Sequence, residues 1–386
     1  MKVLFVSFRH DPTTPGLETG ADYQFLKALQ ANEIETKVVG PFLKPPIFIE
    51  RIAKKIYKSI SGRQYLKYDV SNTLRASLAV SRYAREWKPN LIFTLYPPPI
   101  AFYRGKTPCI FRTDATFMGS YAHAPEFHQY GKLILKMSIW VEKKALNKCS
   151  LIITHSEWTA QTLVNDYKVS PEKIVVFPNP SSLPENWIPS KIDIKAEKEF
   201  RGQIRLLFIG RDKYRKGLDI ALETVSQLND YGLPSALTVC GLDGQDQVHV
   251  KYAGNLNKRD DNQLVQYITL LRKSHLLLHP ARFDPSPRIT SEAAAFGTPT
   301  ITNDVGGLAT SVKTNVSGVV LPHNSLPNQY AQAIINLFQY PERYYELCRT
   351  SRVRYERELN WAVAGSHLAK IFQKMTNDDQ SNFKLP

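Results

Sequence analysis

Two stretches of this sequence combine cations, carboxylates and helix starts in a pattern that would bind a diphosphate. The first, GRDKYRKG at 210–217, follows the strand-like run IRLLFIG and opens a helix, so Arg211 and Lys216 flank a short loop. Two cations beside the free backbone N–H groups of a helix N-terminus form a pyrophosphate clamp. The alternative is a surface loop with solvated basic residues. The position at the carboxyl end of a strand favours a ligand site.

The second stretch, HPARFDPSPRITSEAAAFGTPTITNDVGG at 279–307, carries two carboxylates. Ser286 suits a helix N-cap, Pro287 the first helical position and Gly297 a helix end, which together predict a helix of about ten residues. Asp284 lies just before this helix and Glu292 within it. Their spacing suits one carboxylate at the reacting sugar end of a ligand and the other at a hydroxyl further along. Alternatively, Asp284 is a helix-entry residue and Glu292 an exposed helix charge.

The elements that would position these residues alternate between apolar runs and helix-length segments, which predicts parallel sheets with crossover helices and an α/β fold. The first half contains strand-like runs at 3–8, 36–40, 91–95, 108–113, 150–156 and 173–179. A proline-rich and charged stretch at 183–202 is expected as a linker. The second half restarts with IRLLFIG, ALTVCG, HLLLHP, TPTITND and VSGVVL, and ends in helices at 327–338, 341–357 and 361–374. We therefore predict two Rossmann-like domains.

Composition agrees with a globular protein of two domains, since 43% of the 386 residues are hydrophobic. The four cysteines form no CxxC pair, which indicates a reducing, cytoplasmic compartment and no structural zinc. The first residues, MKVLFVSFRH, are interpreted as a buried strand rather than a signal peptide. No run approaches the length of a membrane span.

Several ligand classes are excluded by missing motifs. The first strand is followed by no GxGxxG, and the chain holds no GxxxxGK[ST] and no HExxH, so we expect no dinucleotide cofactor, no P-loop and no obligatory metal. The net charge of +15 favours an anionic partner. Charge alone does not distinguish phosphorylated metabolites, an acidic membrane face and nucleic acid.

The motifs as a set resemble one enzyme family. GRDKYRKG, the two acids of DPSPRITSE and FGTPTITNDVGGLATSVKTNVSGVVLP resemble the carboxyl-terminal domain of retaining GT-B glycosyltransferases of family 4. SLIITHSEWTAQTLVNDYKVSPEKIVVFPNP is similar to the segment that closes that family's amino-terminal domain. NWAVAGSHLAKIF resembles its last helix, which crosses back onto the amino-terminal domain. The resemblance covers about 145–375 and, as a set, is specific.

The resemblance implies an acceptor-binding domain over 1–185, a nucleotide-sugar donor domain over 200–360 and a returning helix over 361–374. Arg211 and Lys216 would neutralise the departing diphosphate, and Glu292 would bind the ribose hydroxyls. Asp284 stands where the family usually has Glu and would contact a sugar hydroxyl near the reacting carbon. Pro285 and Pro287 remove two backbone donors.

Further roles follow from the same resemblance. The backbone N–H groups of Ile289 and Thr290 are the ones left to hold the donor, since the prolines before them have none. The loop with Gly16 and Gly20 matches the family's first glycine-rich loop near phosphate and acceptor, although a flexible turn explains it equally. In FRTDATF, Thr113 replaces the family's His. Asp114 would orient or deprotonate an acceptor hydroxyl, or serve only as a helix N-cap.

Catalysis in such an enzyme would rest on charge stabilisation and positioning. The acceptor is open: a glycan, a lipid-linked molecule or a small molecule. Segments 44–67 and 131–149 are basic and amphipathic, which suits either a peripheral membrane contact or packing on the protein's own sheet. The alternative functions are a nucleotide-sugar epimerase or hydrolase of GT-B shape, and a non-catalytic protein that binds an anionic ligand or nucleic acid. Against nucleic acid, the basic residues are dispersed along the chain.

Overall fold

The computed structural model describes residues 1–15, 20–43, 70–123 and 131–377, together with residues 52, 55, 56, 58 and 59. The chain forms two compact units. Unit 1 comprises Met1–Phe177 and the chain from Ala364 onward, and unit 2 comprises Pro178–Val363. Each unit contains a six-stranded sheet, and every strand pairing within it is parallel. The predicted α/β class with two Rossmann-like halves is confirmed.

Unit 1 has the strand order β2-β1-β3-β4-β5-β6. Its strands are β1 (Lys2–Val6), β2 (Glu35–Val39), β3 (Leu91–Thr94), β4 (Cys109–Thr113), β5 (Cys149–Thr154) and β6 (Ile174–Val176). The described helices between these strands and after β5 are α1 (Ala21–Ala31), α2 (Val70–Trp87), α3 (Pro98–Ala101), α4 (Phe117–His123), α5 (Lys132–Lys148) and α6 (Glu157–Tyr167). The order reverses between β1 and β3, which is where ligands bind in open α/β sheets.

Unit 2 has the order β12-β11-β10-β7-β8-β9 and reverses between β7 and β10. Its strands are β7 (Ile204–Ile209), β8 (Ser235–Cys240), β9 (Val250–Gly254), β10 (Leu276–His279), β11 (Thr300–Asn303) and β12 (Gly318–Leu321). Its helices are α7 (Ile194–Glu197), α8 (Leu218–Asp230), α9 (Asp261–Lys273), α10 (Ile289–Ala294), α11 (Leu308–Ser311), α12 (Pro327–Phe338) and α13 (Pro341–Glu358). A final helix, α14 (Trp361–Asn377), begins in unit 2 and continues in unit 1.

The sheets supply the cores because their central strands are buried on both faces. All four residues of β3 and of β10 are buried, as expected for parallel strands covered by helices on both sides. α14 completes unit 1: the Phe372 ring lies 5.6 Å from that of Phe93. The missing side chain of Gly365 lets this helix approach Ala28 of α1 closely. The expected return of the last helix to the first half is confirmed.

Three expectations about elements need correction. β9 was not predicted, because only its first residue is fully buried and no apolar run marks it. The predicted linker at 183–202 packs into unit 2, where Leu183 and Lys198 are buried. The Lys198 ammonium donates to the carbonyls of Arg272 and Ser274 (2.7 and 2.9 Å), which end α9. The charged, proline-rich composition thus concealed a segment that two buried side chains anchor to unit 2.

α10 begins later than predicted, because Arg288 and not Ser286 is its N-cap. The Ser286 hydroxyl instead accepts a hydrogen bond from Asn179 Nδ2 (2.9 Å). The helix ends at Ala294, so it has six residues rather than about ten. Gly297, the predicted helix end, follows three residues later with a φ of 63°.

Of the two basic segments, 131–149 forms α5, whereas most of 44–67 lies outside the described residues. None of the described helices is long and apolar enough to cross a membrane.

Candidate active site

The carboxyl ends of β7 and β10, where the strand order of unit 2 reverses, carry an ion pair. Lys216 follows β7 and Asp284 follows β10, and the Lys216 ammonium donates to Asp284 Oδ2. Both side chains are largely buried, with 14% and 9% of their surface exposed. Sequence motifs 68 positions apart therefore meet at the point of the sheet where a ligand is expected.

Glycines allow the backbone to close around this pair. Gly217, at a φ of 73°, has no space for a Cβ because the Pro280 carbonyl would lie 1.9 Å from it. Gly306, at a φ of 57°, approaches the Asp284 carbonyl in the same way, and the Gly307 N–H donates to that carbonyl at 2.8 Å. The glycines of RKG and DVGG thus let both of their loops approach the loop after β10, which carries Asp284.

His279 is a third member of the cluster, and the sequence motifs did not identify it. It is the last residue of β10, fully buried, and its Nε2 lies 3.0 Å from Asp284 Oδ2. Burial lowers the pKa of His279, which keeps it neutral with a proton on Nε2. Burial alone would raise the pKa of Asp284, but Lys216 and His279 together bring it below its ordinary value. Asp284 is therefore a carboxylate.

Arg211 is exposed directly after the strand, next to Gly210. The Lys216 side chain packs over Gly210, where a Cβ would lie 2.9 Å from Lys216 Cγ. The loop therefore folds back so that Lys216 covers Gly210, the residue before Arg211. Both cations thus lie at the carboxyl end of β7.

Glu292 is fully buried in α10, contrary to the alternative of an exposed helix charge. Lys258 Nζ contacts both carboxylate oxygens, Oε1 at 2.7 Å and Oε2 at 2.8 Å. The Tyr267 hydroxyl donates to Oε2 at 2.5 Å and the Ser182 hydroxyl donates to Oε1. Burial would raise the pKa of Glu292, but Lys258, Ser182 and Tyr267 lower it, so the group is ionised.

Ile289 and Thr290 are the first two residues of α10. Their N–H groups belong to the first turn, which has no partner carbonyl within its own helix. They therefore lie two positions nearer the start of the helix than predicted, because the N-cap is Arg288 and not Ser286.

In unit 1, Asp114 lies just beyond β4 in a bidentate ion pair with Arg112 (2.9 and 2.6 Å). The Arg112 side chain is buried, whereas that of Asp114 is 41% exposed. Arg112 Nε donates to His155 Nε2 at 2.8 Å, and His155 Nδ1 contacts the Phe177 carbonyl at 2.9 Å. Asp114 is thus held by a buried arginine that is itself fixed by a histidine. Thr113, in place of the family's His, is buried, and its hydroxyl donates to the Ala115 carbonyl at 2.9 Å.

A second carboxyl marks the place where the strand order of unit 1 reverses. Asp22, in the first turn of α1, accepts hydrogen bonds from Ser7 after β1 (3.2 Å) and Tyr96 after β3 (3.4 Å). Burial raises the pKa of Asp22, against the opposing effect of Ser7 and the nearby Arg112 charge. Gly20 is the N-cap of α1 with a φ of 69°, which requires glycine or a strained residue. Gly16 lies outside the described residues.

Within the described ranges, no cluster of three or more His, Cys, Asp or Glu side chains is arranged to hold a metal ion.

The fold and these two polar centres define a class of protein. Sucrose-phosphate synthase from Thermosynechococcus elongatus superposes with a TM-score of 0.66 at 17% identity, over 97% of this chain and 98% of that one. Anabaena Alr3699/HepE, solved in complex with UDP-glucose, gives 0.62 at 14% identity, over 97% and 100%. The chain has the GT-B fold.

Family models match both halves of the chain. The model described as Glycosyltransferase Family 4 matches residues 22–182, and that described as Glycosyl transferases group 1 matches residues 190–353. The chain therefore belongs to the family 4 type of GT-B glycosyltransferases. Glycogen synthase of Mycobacterium tuberculosis is 24% identical over 189 residues, which are 46% of this chain. The match spans 44% of that relative's length, less than half of it.

Proposed function

We propose that the protein transfers a sugar from a nucleotide-diphosphate-sugar to an acceptor hydroxyl, with retention of configuration and without a metal ion. The observation that carries the proposal is the cluster of Lys216, Asp284 and His279 where the strand order of unit 2 reverses. A cation and an ionised carboxylate at this position suit a ligand with phosphate at one end and sugar hydroxyls at the other.

On the donor side, Lys216 and Arg211 would stabilise the diphosphate as negative charge develops on it. Asp284 would orient the transferred sugar by accepting a hydrogen bond from one of its hydroxyls. His279 would hold the Asp284 carboxylate in place through its own hydrogen bond. Glu292 would accept from the ribose. The complex of Anabaena Alr3699/HepE with UDP-glucose supports this class of donor.

On the acceptor side, we assign Asp22 and Asp114 of unit 1 to contacts with the acceptor hydroxyl. The acceptor is a glycan, a lipid-linked molecule or a small molecule. Support comes from their places after β1 and β4 and from the partial exposure of Asp114. Two hydrogen bonds from Arg112 hold the Asp114 carboxyl group in place, so Asp114 would orient the acceptor hydroxyl. The departing phosphate is the natural proton acceptor.

We also propose a cytoplasmic location and peripheral contact with an anionic membrane. The four buried cysteines are free, which suits a reducing compartment. The α5 face, defined as Lys132, Leu133, Lys136, Trp140, Lys143 and Lys144, supports the membrane contact because all six side chains are exposed and none is acidic.

The test is calorimetric titration of UDP, GDP and ADP into the protein with a chelator present. We expect one nucleotide to bind, and Lys216→Met or Arg211→Met to weaken its binding by about ten- to a hundredfold, since each removes a charge-assisted contact. Lys213→Met is the matched control, because it removes an exposed cation from the same loop.

Binding that required a metal, or that was unaffected in both variants, would contradict the assignment. Product analysis with the corresponding nucleotide-sugar separates the alternatives. Transfer to an added acceptor supports the proposal, whereas epimerised or merely hydrolysed sugar favours the other enzyme class. Anomeric proton NMR of the product tests retention.

A further inference from the structure

The carboxylate of Glu292 has no vacant acceptor position. A carboxylate offers about four lone-pair sites, and four contacts are present: two from Lys258, one from Ser182 and one from Tyr267. Lys258 bridges both oxygens, while Ser182 and Tyr267 each contact one oxygen. A ligand with two adjacent hydroxyls would need the same bridging position.

The three donors differ in how easily they can leave. Tyr267 is buried in the core of unit 2, with 2% of its surface exposed. The Lys258 side chain is 36% exposed, against 1% for Glu292. Lys258 is therefore the long, partly solvated partner, and its ammonium can turn towards water while the backbone stays in place.

The backbone at Lys258 is fixed independently of this contact. It belongs to the loop between β9 and α9, where the Asn257 N–H donates to Gln263 Oε1 at 2.8 Å and Asp260 caps α9 through the Gln263 N–H at 3.0 Å. The Lys258 ammonium also lies 4.5 Å from the centre of the Tyr267 ring. A change at Lys258 Nζ thus leaves the loop in place.

We propose that Lys258 sets the affinity for the nucleotide: its ammonium occupies the edge of Glu292 that the ribose diol uses, and the donor binds only by displacing it. This inference rests on the proposed donor site and on Glu292 as the ribose contact. Nucleotide binding is then an exchange in which Lys258 is released to solvent and two hydroxyl donors replace it. Glu292 remains ionised and hydrogen-bonded throughout, because Ser182 and Tyr267 stay.

The test is titration of Lys258→Met with whichever of UDP, GDP and ADP binds the unmodified protein. Removing the competitor is expected to tighten binding by about three- to tenfold, the free energy of a partly exposed ion pair. The gain should appear as faster association in surface plasmon resonance, since no ion pair has to open first. Lys258→Gln, which keeps one hydrogen-bond donor without charge, should lie between the two.

Arg259→Met is the matched control. Arg259 is an exposed cation in the same loop, so its loss reproduces the weaker attraction for a diphosphate without freeing Glu292. Tyr267→Phe should weaken nucleotide binding, whereas Lys258→Met should tighten it. The reason is that Tyr267 donates to Glu292 both when Lys258 is bound there and when the nucleotide is. Melting temperatures confirm that each variant is folded.

The outcomes separate the two ideas. If the unmodified protein binds a nucleotide but Lys258→Met binds it no more tightly than Arg259→Met does, Lys258 supports the site rather than competing for it, and the inference is wrong. If nothing binds to the unmodified protein or to any variant, the proposed donor function fails and the inference fails with it. Binding by Lys258→Met alone would support both.

Discussion

Single buried residues of unit 2 carry ionisation states that their sequence positions do not reveal. His275 precedes β10, and its Nδ1 accepts from the Arg205 N–H at 2.9 Å while its Nε2 contacts the Glu199 carbonyl at 3.1 Å. The rings of Phe200, Phe338 and Tyr344 surround it. Burial, reinforced by the Arg205 charge, lowers the pKa of His275 to about 4.

This histidine predicts an acid-sensitive core. Because its pKa is lower in the folded than in the unfolded chain, its neutral form stabilises the fold above about pH 6.5, and this contribution is lost as the pH falls towards 4. Urea unfolding at pH 7 and pH 5 should show that His275→Phe removes about 2 kcal/mol of the pH dependence. His249→Gln, at an exposed histidine of the same unit, should retain all of it. If the free energy of unfolding depended equally on pH in the two variants, the acid sensitivity would not come from His275.

The residues of the candidate site were only partly predictable. Lys216, Asp284 and Glu292 follow from motif type and spacing, but their partners lie 68, five and 34 positions away. His279 had a usable signal, since a polar residue ends an otherwise apolar strand. Arg112 had a similar one, as a charge inside the buried run CIFRT. Lys258 had none, because an exposed loop lysine looks the same whether or not a buried acid faces it.

At the scale of elements, α13 contacts the ends of two short helices of unit 2, of which α10 carries Glu292 of the proposed donor site. Its buried Arg352 donates to the carbonyl of Ala295 at the end of α10 and to that of Pro189. Its buried Arg354 donates to the carbonyls of Ser311 and Thr310 at the end of α11. Six-residue and four-residue helices are too short to be stable alone. The contacts with the longer helix α13 therefore stabilise α10 and α11.

Replacing Arg352 should therefore affect the site from a distance. Arg352→Met leaves carbonyls unsatisfied, so we expect a loss of about 2 kcal/mol in the free energy of unfolding. We also expect weaker nucleotide binding, because α10 carries Glu292. Denaturant unfolding and calorimetry measure the two effects. Arg349→Met removes only an exposed pair with Glu346 on the same helix and should change neither. A destabilised variant with normal affinity would show that α10 does not depend on this contact.

Elements with strong apolar runs were predicted well, and the others were not. The helix predicted at 327–338 has the observed bounds of α12, since Pro327 starts it and its apolar residues recur at helical spacing. β9 lies at the edge of its sheet, where partial exposure removes the apolar run. The start of α10 was misplaced because Ser286 bonds to Asn179, a partner 107 positions away, which local capping rules do not foresee.

For the whole molecule, the charge of +15 acts together with an exposed apolar surface. On the α5 face, Leu133 is 69% and Trp140 43% exposed, and Lys144 lies 5.8 Å from the Trp140 ring. Each lysine near an anionic surface contributes roughly 1 kcal/mol, and salt weakens this attraction.

We therefore expect sedimentation with vesicles of phosphatidylglycerol and phosphatidylcholine but not with phosphatidylcholine alone. Leu133→Ser combined with Trp140→Ser should reduce binding severalfold, because the apolar side chains that enter the lipid are lost. Leu326→Ser, at a leucine of comparable exposure in unit 2, should bind normally. Equal loss in the two variants, or binding to neutral vesicles, would rule out the α5 face as the contact.

The return of α14 to unit 1 has a consequence for synthesis on the ribosome. Unit 2 is one uninterrupted stretch, whereas unit 1 needs Phe372 against Phe93 and Gly365 against α1. Because chains emerge from the amino terminus onward, the first half of the protein waits with part of its core uncovered while the second half is translated. The half made first is thus the last to be completed.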